Sequence, residues 1–71
     1  MVQYYTDSAK KSLWVLSEIL SFDEELDCLT CFAAEKDSGF HIGQRINNPK
    51  LENSHWQPLE GEISVSDILY V

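Results

Sequence analysis

Apolar residues near the start of the chain recur at helical spacing. At about 100° per residue, Ala9, Leu13, Leu16 and Leu20 fall on one stripe, and Val15, Ile19 and Phe22 widen it to about half a cylinder. Lys10, Lys11, Ser17, Glu18 and Ser21 occupy the other half, together with Trp14. Thr6 or Asp7 can cap the first turn, because a side-chain oxygen at that position accepts an orphan backbone N–H. The spacing predicts a helix from about Asp7 to Ser21, with Leu16 in the core and Trp14 away from it.

From Asp27 to Ala34 the residue types change to strand formers. Leu29, Cys31 and Ala33 would share one face, and Cys28, Thr30, Phe32 and Ala34 the other, as in a strand packed on both sides. Lys36-Asp37-Ser38-Gly39 reads as a tight hairpin loop. After it, Phe40, Ile42, Gln44 and Ile46 alternate with His41, Gly43 and Arg45, the pattern of a half-buried strand. A helix over residues 22–35 is the competing reading, since Ser21-Phe22-Asp23-Glu24 forms a capping box and Leu26, Leu29, Phe32 and Ala33 fit helical spacing. Thr30, Phe32 and the turn favour the hairpin.

Asn47-Asn48-Pro49 ends that strand, and residues 47–61 read as a long polar loop closed by Pro58 and Gly61. Glu62-Ile63-Ser64-Val65 alternates and Ile68 to Val71 is a continuous apolar run, predicting a last strand kinked at Ser66-Asp67. Val2 and Tyr4 suggest a short edge strand within Met1 to Tyr5. The expected fold is α+β, one amphipathic helix packed on a small, mainly antiparallel sheet of three to four strands. It would form a single compact domain over residues 1–71.

Composition narrows this picture. A chain of 71 residues buries only ~60% of the surface it exposes when unfolded, so self-association, a metal or disulfides would be welcome additions to stability. The 44% apolar content is spread along the chain and argues against disorder. No apolar run exceeds four residues, too few to span a bilayer as a helix. No basic stretch followed by an apolar one resembles a secretory leader, so the expected address is the cytoplasm.

Charge changes the picture more. The formal net charge is −7, and it is unevenly distributed. Residues 22–37 hold Asp23, Glu24, Glu25, Asp27, Glu35 and Asp37 against Lys36 alone, and residues 51–71 hold Glu52, Glu60, Glu62 and Asp67 with no base. Such a field repels nucleic acid and anionic membrane and favours a protein partner with a basic surface.

Candidate chemistry is sparse. Cys28-Leu29-Thr30-Cys31 is a CxxC, but with His41 and His55 it matches no common zinc spacing, and the preceding carboxylates oppose a reactive thiolate. Two buried thiols are the preferred reading, with no metal and no cofactor. Three separated glycines cannot form a phosphate loop, and no nucleophile–base spacing stands out, so no catalytic residue is assigned and no enzyme is expected. The run Asp23 to Asp27 lacks the alternating ligands and glycine of a calcium loop. Trp14 and Trp56 are the aromatic candidates for an interface. The expected function is a small acidic protein-binding module of the inhibitor, antitoxin or immunity type, using Trp14, Asp23, Glu24, Glu25, Asp27, Trp56, Glu60 and Glu62. The alternatives are a nucleic-acid mimic that blocks a DNA- or RNA-binding protein, and a structural subunit or homo-oligomer, such as a homodimer, with no inhibitory role.

Overall fold

The computed structural model describes residues 2–69, so Met1 and the Tyr70-Val71 end of the expected last strand lie outside the described residues. The fold is a five-stranded antiparallel sheet in the order β4-β3-β2-β1-β5, built from β1 (Tyr4–Asp7), β2 (Ser12–Ser21), β3 (Glu24–Ala34), β4 (Arg45–Asn47) and β5 (Trp56–Leu59). A single helical turn, α1 (Val65–Ile68), follows the sheet, with Leu69 N–H donating to Val65 O at 2.8 Å. Strands β1 to β4 form a meander, and β5 returns to pair with β1.

The α+β expectation is therefore corrected: residues 7–21 form no helix. They comprise the end of β1, a turn and the whole of β2. The physical reason lies in Leu13 and Trp14, which are adjacent and both fully buried. A helix half-immersed in a core buries one stripe, whereas a strand covered on both faces buries consecutive residues. Residues 22–35 likewise hold no helix, since β3 occupies Glu24–Ala34, within which the expected strand Asp27 to Ala34 falls. The expected strand over 40–46 contracts to Arg45–Asn47, preceded by turns. The expected loop 47–61 contains β5, and the start of the expected last strand is helical at α1. Tyr4 belongs to β1, which lies between β2 and β5 and is not an edge.

Two small cores sit on opposite faces of the sheet. On one face Trp14, Leu29 and Cys31 are buried beneath Phe40, Leu51 and Trp56, contributed largely by the segments flanking β4. Phe40 and Trp56 stand edge-on to the Trp14 ring, with centroids 5.3 and 5.2 Å away, a favoured geometry for aromatic rings. On the other face Leu13, Ala33 and Leu69 pack with Phe32, Leu59, Ile63 and Val65. A bulge makes this possible: Leu13 pairs with Ala33 but Trp14 pairs with Cys31, so Phe32 is the extra residue. Phe32 and Ala33 both join the Leu13 core, while Cys31 and Ala34 face Trp14.

Phe22 and Asp23 connect β2 to β3 with φ of 51° and 64°. Positive φ at both central residues is the type I′ geometry, whose twist matches that of the flanking strands. Asn-Gly is the usual filling, so the dipeptide here is chosen against local preference.

Because Trp14 is the most voluminous fully buried side chain and Leu16 is only partly buried, Trp14→Ala should cost about 3–5 kcal/mol and Leu16→Ala roughly half of that. Denaturant melts of the two variants test this, and a larger loss at Leu16 would contradict the assigned core.

Candidate functional site

The long hairpin outruns the rest of the sheet. One row crosses all five strands, Leu59–Tyr4–Val15–Thr30–Arg45. On the far side of this row β1 and β5 give out, and β4 ends opposite Cys28 at Asn47. Beyond Ser17↔Cys28 the ladder continues, among the described residues, as two strands: Glu18↔Asp27, Ile19↔Leu26, Leu20↔Glu25 and Ser21↔Glu24. The hairpin, roughly 35 Å long at ~3.3 Å per residue, accounts for the molecule's 39 Å long dimension.

Alternation gives this ribbon two unlike faces. Glu18, Leu20, Glu25 and Asp27 continue the Trp14 face, while Ile19, Leu26 and Glu24 continue the Leu13 face. Phe22 is fully exposed at the tip and Leu20 is 73% exposed. Glu18 and Asp27 stand directly opposite each other, an arrangement that costs stability when both are charged. Among the described residues no lysine or arginine pairs with a ribbon carboxylate; the ion pair found is Lys11–Asp37, at 3.3 Å. Lys10 and Lys11 lie in the turn before β2, and Lys36 follows the end of β3. Those three cations thus sit at the end of the hairpin opposite its acidic tip.

Of the residues singled out from sequence, Asp23, Glu24, Glu25 and Asp27 come together on the ribbon. Trp14 requires correction as a surface contact, because it is fully buried beneath the strands and loops described above. Trp56 is half-buried and turned onto Trp14. Glu60 and Glu62 are exposed beyond the end of β5, separate from the ribbon ladder. Glu18, Leu20 and Phe22 belong with the ribbon and were hidden by the helical reading. The signal that could have exposed them is two β-capable runs, Leu13 to Leu20 and Leu26 to Phe32, flanking a short polar stretch with Phe22 inside it.

A second polar group of residues lies at the opposite end. The Asp7 carboxylate accepts from Ala9 N–H at 2.7 Å and from Lys11 N–H at 3.1 Å, and Ser12 Oγ donates to it. Ser12 Oγ in turn accepts from Trp14 Nε1–H at 2.7 Å, and Thr6 Oγ1 donates to Ser12 O at 2.7 Å. Asp7, Ser12 and Thr6 are all buried. Beside them is an open cleft of about 370 Å³ lined by Lys11, Phe40, His55 and Trp56 among others. The carboxylate bordering it is already engaged by three donor groups, so its chemistry is spent on closing the β1–β2 turn. His55 is exposed, and His41, also exposed, does not line the cleft.

Cys28 and Cys31 are buried, free, and on opposite faces of β3. Cys31 belongs to the Trp14 core, whereas Cys28 Sγ reaches Asn47 Oδ1 at 3.4 Å. Their spacing of three along a strand therefore separates the thiols instead of joining them, and the CxxC cannot act as one chelating pair. Burial pushes the Cys31 thiol up from its ordinary pKa; the Asp7 charge adds to the rise and a backbone hydrogen bond at Ala33 opposes it.

Compared with models of protein families, with curated proteins and with solved structures, the chain matches none. The site is therefore argued from its own geometry.

The raised Cys31 pKa carries a pH dependence. The unfolded thiol gives up its proton first, near pH ~8.5, so the native state holds the extra proton and stability falls as pH rises past that value. Cys31→Ala should flatten this alkaline decline. Unfolding free energies of both proteins measured on either side of pH ~8.5 test it, and parallel pH curves would refute the assignment.

Proposed function

We propose that this chain is a small acidic protein-binding module, acting in the cytoplasm as an inhibitor or neutraliser, whose projecting ribbon docks on a basic surface of a partner protein. The observation that carries the reading is Phe22. It holds a positive φ of 51° with its side chain wholly in solvent. An ordinary side chain in the left-handed region costs roughly 1–2 kcal/mol, and a fully exposed ring returns no burial energy to the fold. A turn optimised for stability alone would hold Asn-Gly. An aromatic kept at such a place is explained by contact with something outside the chain, where large rings anchor interfaces.

The surrounding charge supports the same reading. Glu18, Asp23, Glu24, Glu25 and Asp27 surround Phe22 without a base among residues 17–27. Their summed field speeds encounter with a cationic surface and sets its orientation. Like-charge repulsion across the Glu18↔Asp27 pair is relieved when a partner brings cations to it. Buried, unlinked thiols agree with a reducing compartment. In this reading Phe22 takes the anchoring role first given to Trp14, and Trp56 serves mainly the core.

Two variants separate stability from binding once a partner is recovered by salt-eluted affinity capture from the native host. Phe22→Asn with Asp23→Gly should raise stability by about 1 kcal/mol and weaken binding at least tenfold. Asp23→Asn, Glu24→Gln and Glu25→Gln together should leave the melting temperature unchanged or raised, slow association, and flatten the salt dependence of the rate. Stopped-flow kinetics at several ionic strengths give the answer. Wild-type rates and salt slopes in both variants would remove the ribbon as the docking surface.

A further inference from the structure

The cleft beside the Asp7 network is not used by the ribbon, and its walls are already fixed. Phe40 and Trp56 line it, each half-buried and edge-on to Trp14, which is itself held by its hydrogen bond to Ser12 Oγ. The cleft opens on the Trp14 face at the Asp7 end of β1, whereas Leu69 packs on the Leu13 face. At about 370 Å³ it falls within the ~300–1,000 Å³ range of small-ligand sites and has room for one long side chain of a partner.

Three titratable groups border the cleft: Asp7, Lys11 and His55. Lys11 Nζ lies 3.3 Å from Asp37 Oδ2, so that pair is neutral in sum. Asp7 accepts only from uncharged N–H and O–H groups. Its hydrogen-bonding capacity is filled, but among the described residues no cation pairs with its negative charge. Asp7 is also buried, where salt screens a charge weakly, while Lys10 and Lys36 beyond the cleft are exposed and well screened. The Asp7 charge reaches as far as Cys31 in the Trp14 core. The cleft thus joins two aromatic side chains to a carboxylate field with no counterion.

We propose that this cleft binds the guanidinium of an arginine side chain presented by a partner polypeptide, stacked on Phe40 and Trp56 within the field of Asp7. A guanidinium is flat, permanently charged and weakly hydrated, so it loses less than an ammonium on leaving water for an aromatic site. A carboxylate or phosphate is opposed by Asp7 and by the net charge of −7. An uncharged flat group keeps the stacking and forgoes the attraction. The inference goes beyond the docking function proposed above: the cleft lies at the end of the hairpin opposite Phe22, so the two sites stand or fail separately.

The test uses the full chain and capped single residues: N-acetyl-arginine amide, its lysine counterpart, and its citrulline counterpart, which has nearly the same shape without the charge. NMR should show arginine shifting the Trp56 indole N–H and the Phe40 ring signals saturably, with citrulline and lysine roughly three- to tenfold weaker. His55→Lys and His55→Glu put opposite charges at the mouth on an exposed side chain. With melting temperatures retained, the first should weaken arginine binding about twofold at low salt and the second strengthen it by as much. Equal affinity for arginine and citrulline would overturn the proposal, as would a reversed order of the two variants, tighter binding of benzoate, or no saturable shift at Trp56. Arg45 is the chain's one arginine. If the Trp56 signal moves with protein concentration alone, and Arg45→Gln stops it, a second copy fills the cleft and the assignment to a partner fails.

Discussion

The chain of hydrogen bonds from Trp14 through Ser12 to Asp7 is the constraint on which the rest of this small fold depends. Each member is buried, and each polar atom has a partner: the indole N–H has Ser12 Oγ, and the carboxylate has Ser12 and the backbone of the β1–β2 turn. Among the described residues no buried side-chain nitrogen or oxygen is left unsatisfied. A fully satisfied network in a low-dielectric interior specifies one geometry, since any shift strands a polar group at a cost of ~1–3 kcal/mol. That geometry fixes the indole ring. Phe40, from the irregular segment before β4, and Trp56, at the start of the edge strand β5, then have a rigid body to stand against.

The hairpin divides into halves with different physics. Around Leu13 and Trp14 it is flanked by neighbouring strands and covered on both faces. Past Asn47 it is, among the described residues, a two-stranded ribbon with Leu20 and Phe22 in solvent, and isolated ribbons of this kind are marginal in water. The covered half supplies the register that the exposed half inherits, because the ladder between β2 and β3 runs unbroken from Trp14 to Ser21. The two-stranded half is thus the low-stability end of the hairpin, the kind of element from which binding sites are commonly drawn.

Legibility in the sequence followed the same division. The strand from Asp27 to Ala34 could be read because its β-branched and aromatic residues leave both faces apolar. β2 was misread because two-sided burial erases the alternation that identifies a strand, and Ala9, Leu13, Leu16 and Leu20 happen to match a helical stripe. The turn added to the error: Ser21-Phe22-Asp23-Glu24 has the letters of a capping box and lacks the Asn-Gly of a type I′ hairpin. Of the candidate site, the acidic cluster was visible as charge, since charge needs no fold to be counted. Phe22 and the Glu18↔Asp27 pair were not, because exposure and cross-strand pairing exist only once the register is known.

The separation of charge along the hairpin has a mechanical consequence. With Lys10, Lys11 and Lys36 balanced by Asp7, Glu35 and Asp37 at one end and Glu18, Asp23, Glu24, Glu25 and Asp27 clustered without a base toward the other, the molecule carries an electric moment roughly parallel to its 39 Å axis. A field pulls on net charge, and it also exerts a torque on a moment. Within about one Debye length, ~8–10 Å at ordinary ionic strength, that torque turns a tumbling body before contact is made. Rotational search toward any positively charged surface is thus biased to present the aromatic tip first, and the bias weakens with salt on the same length scale.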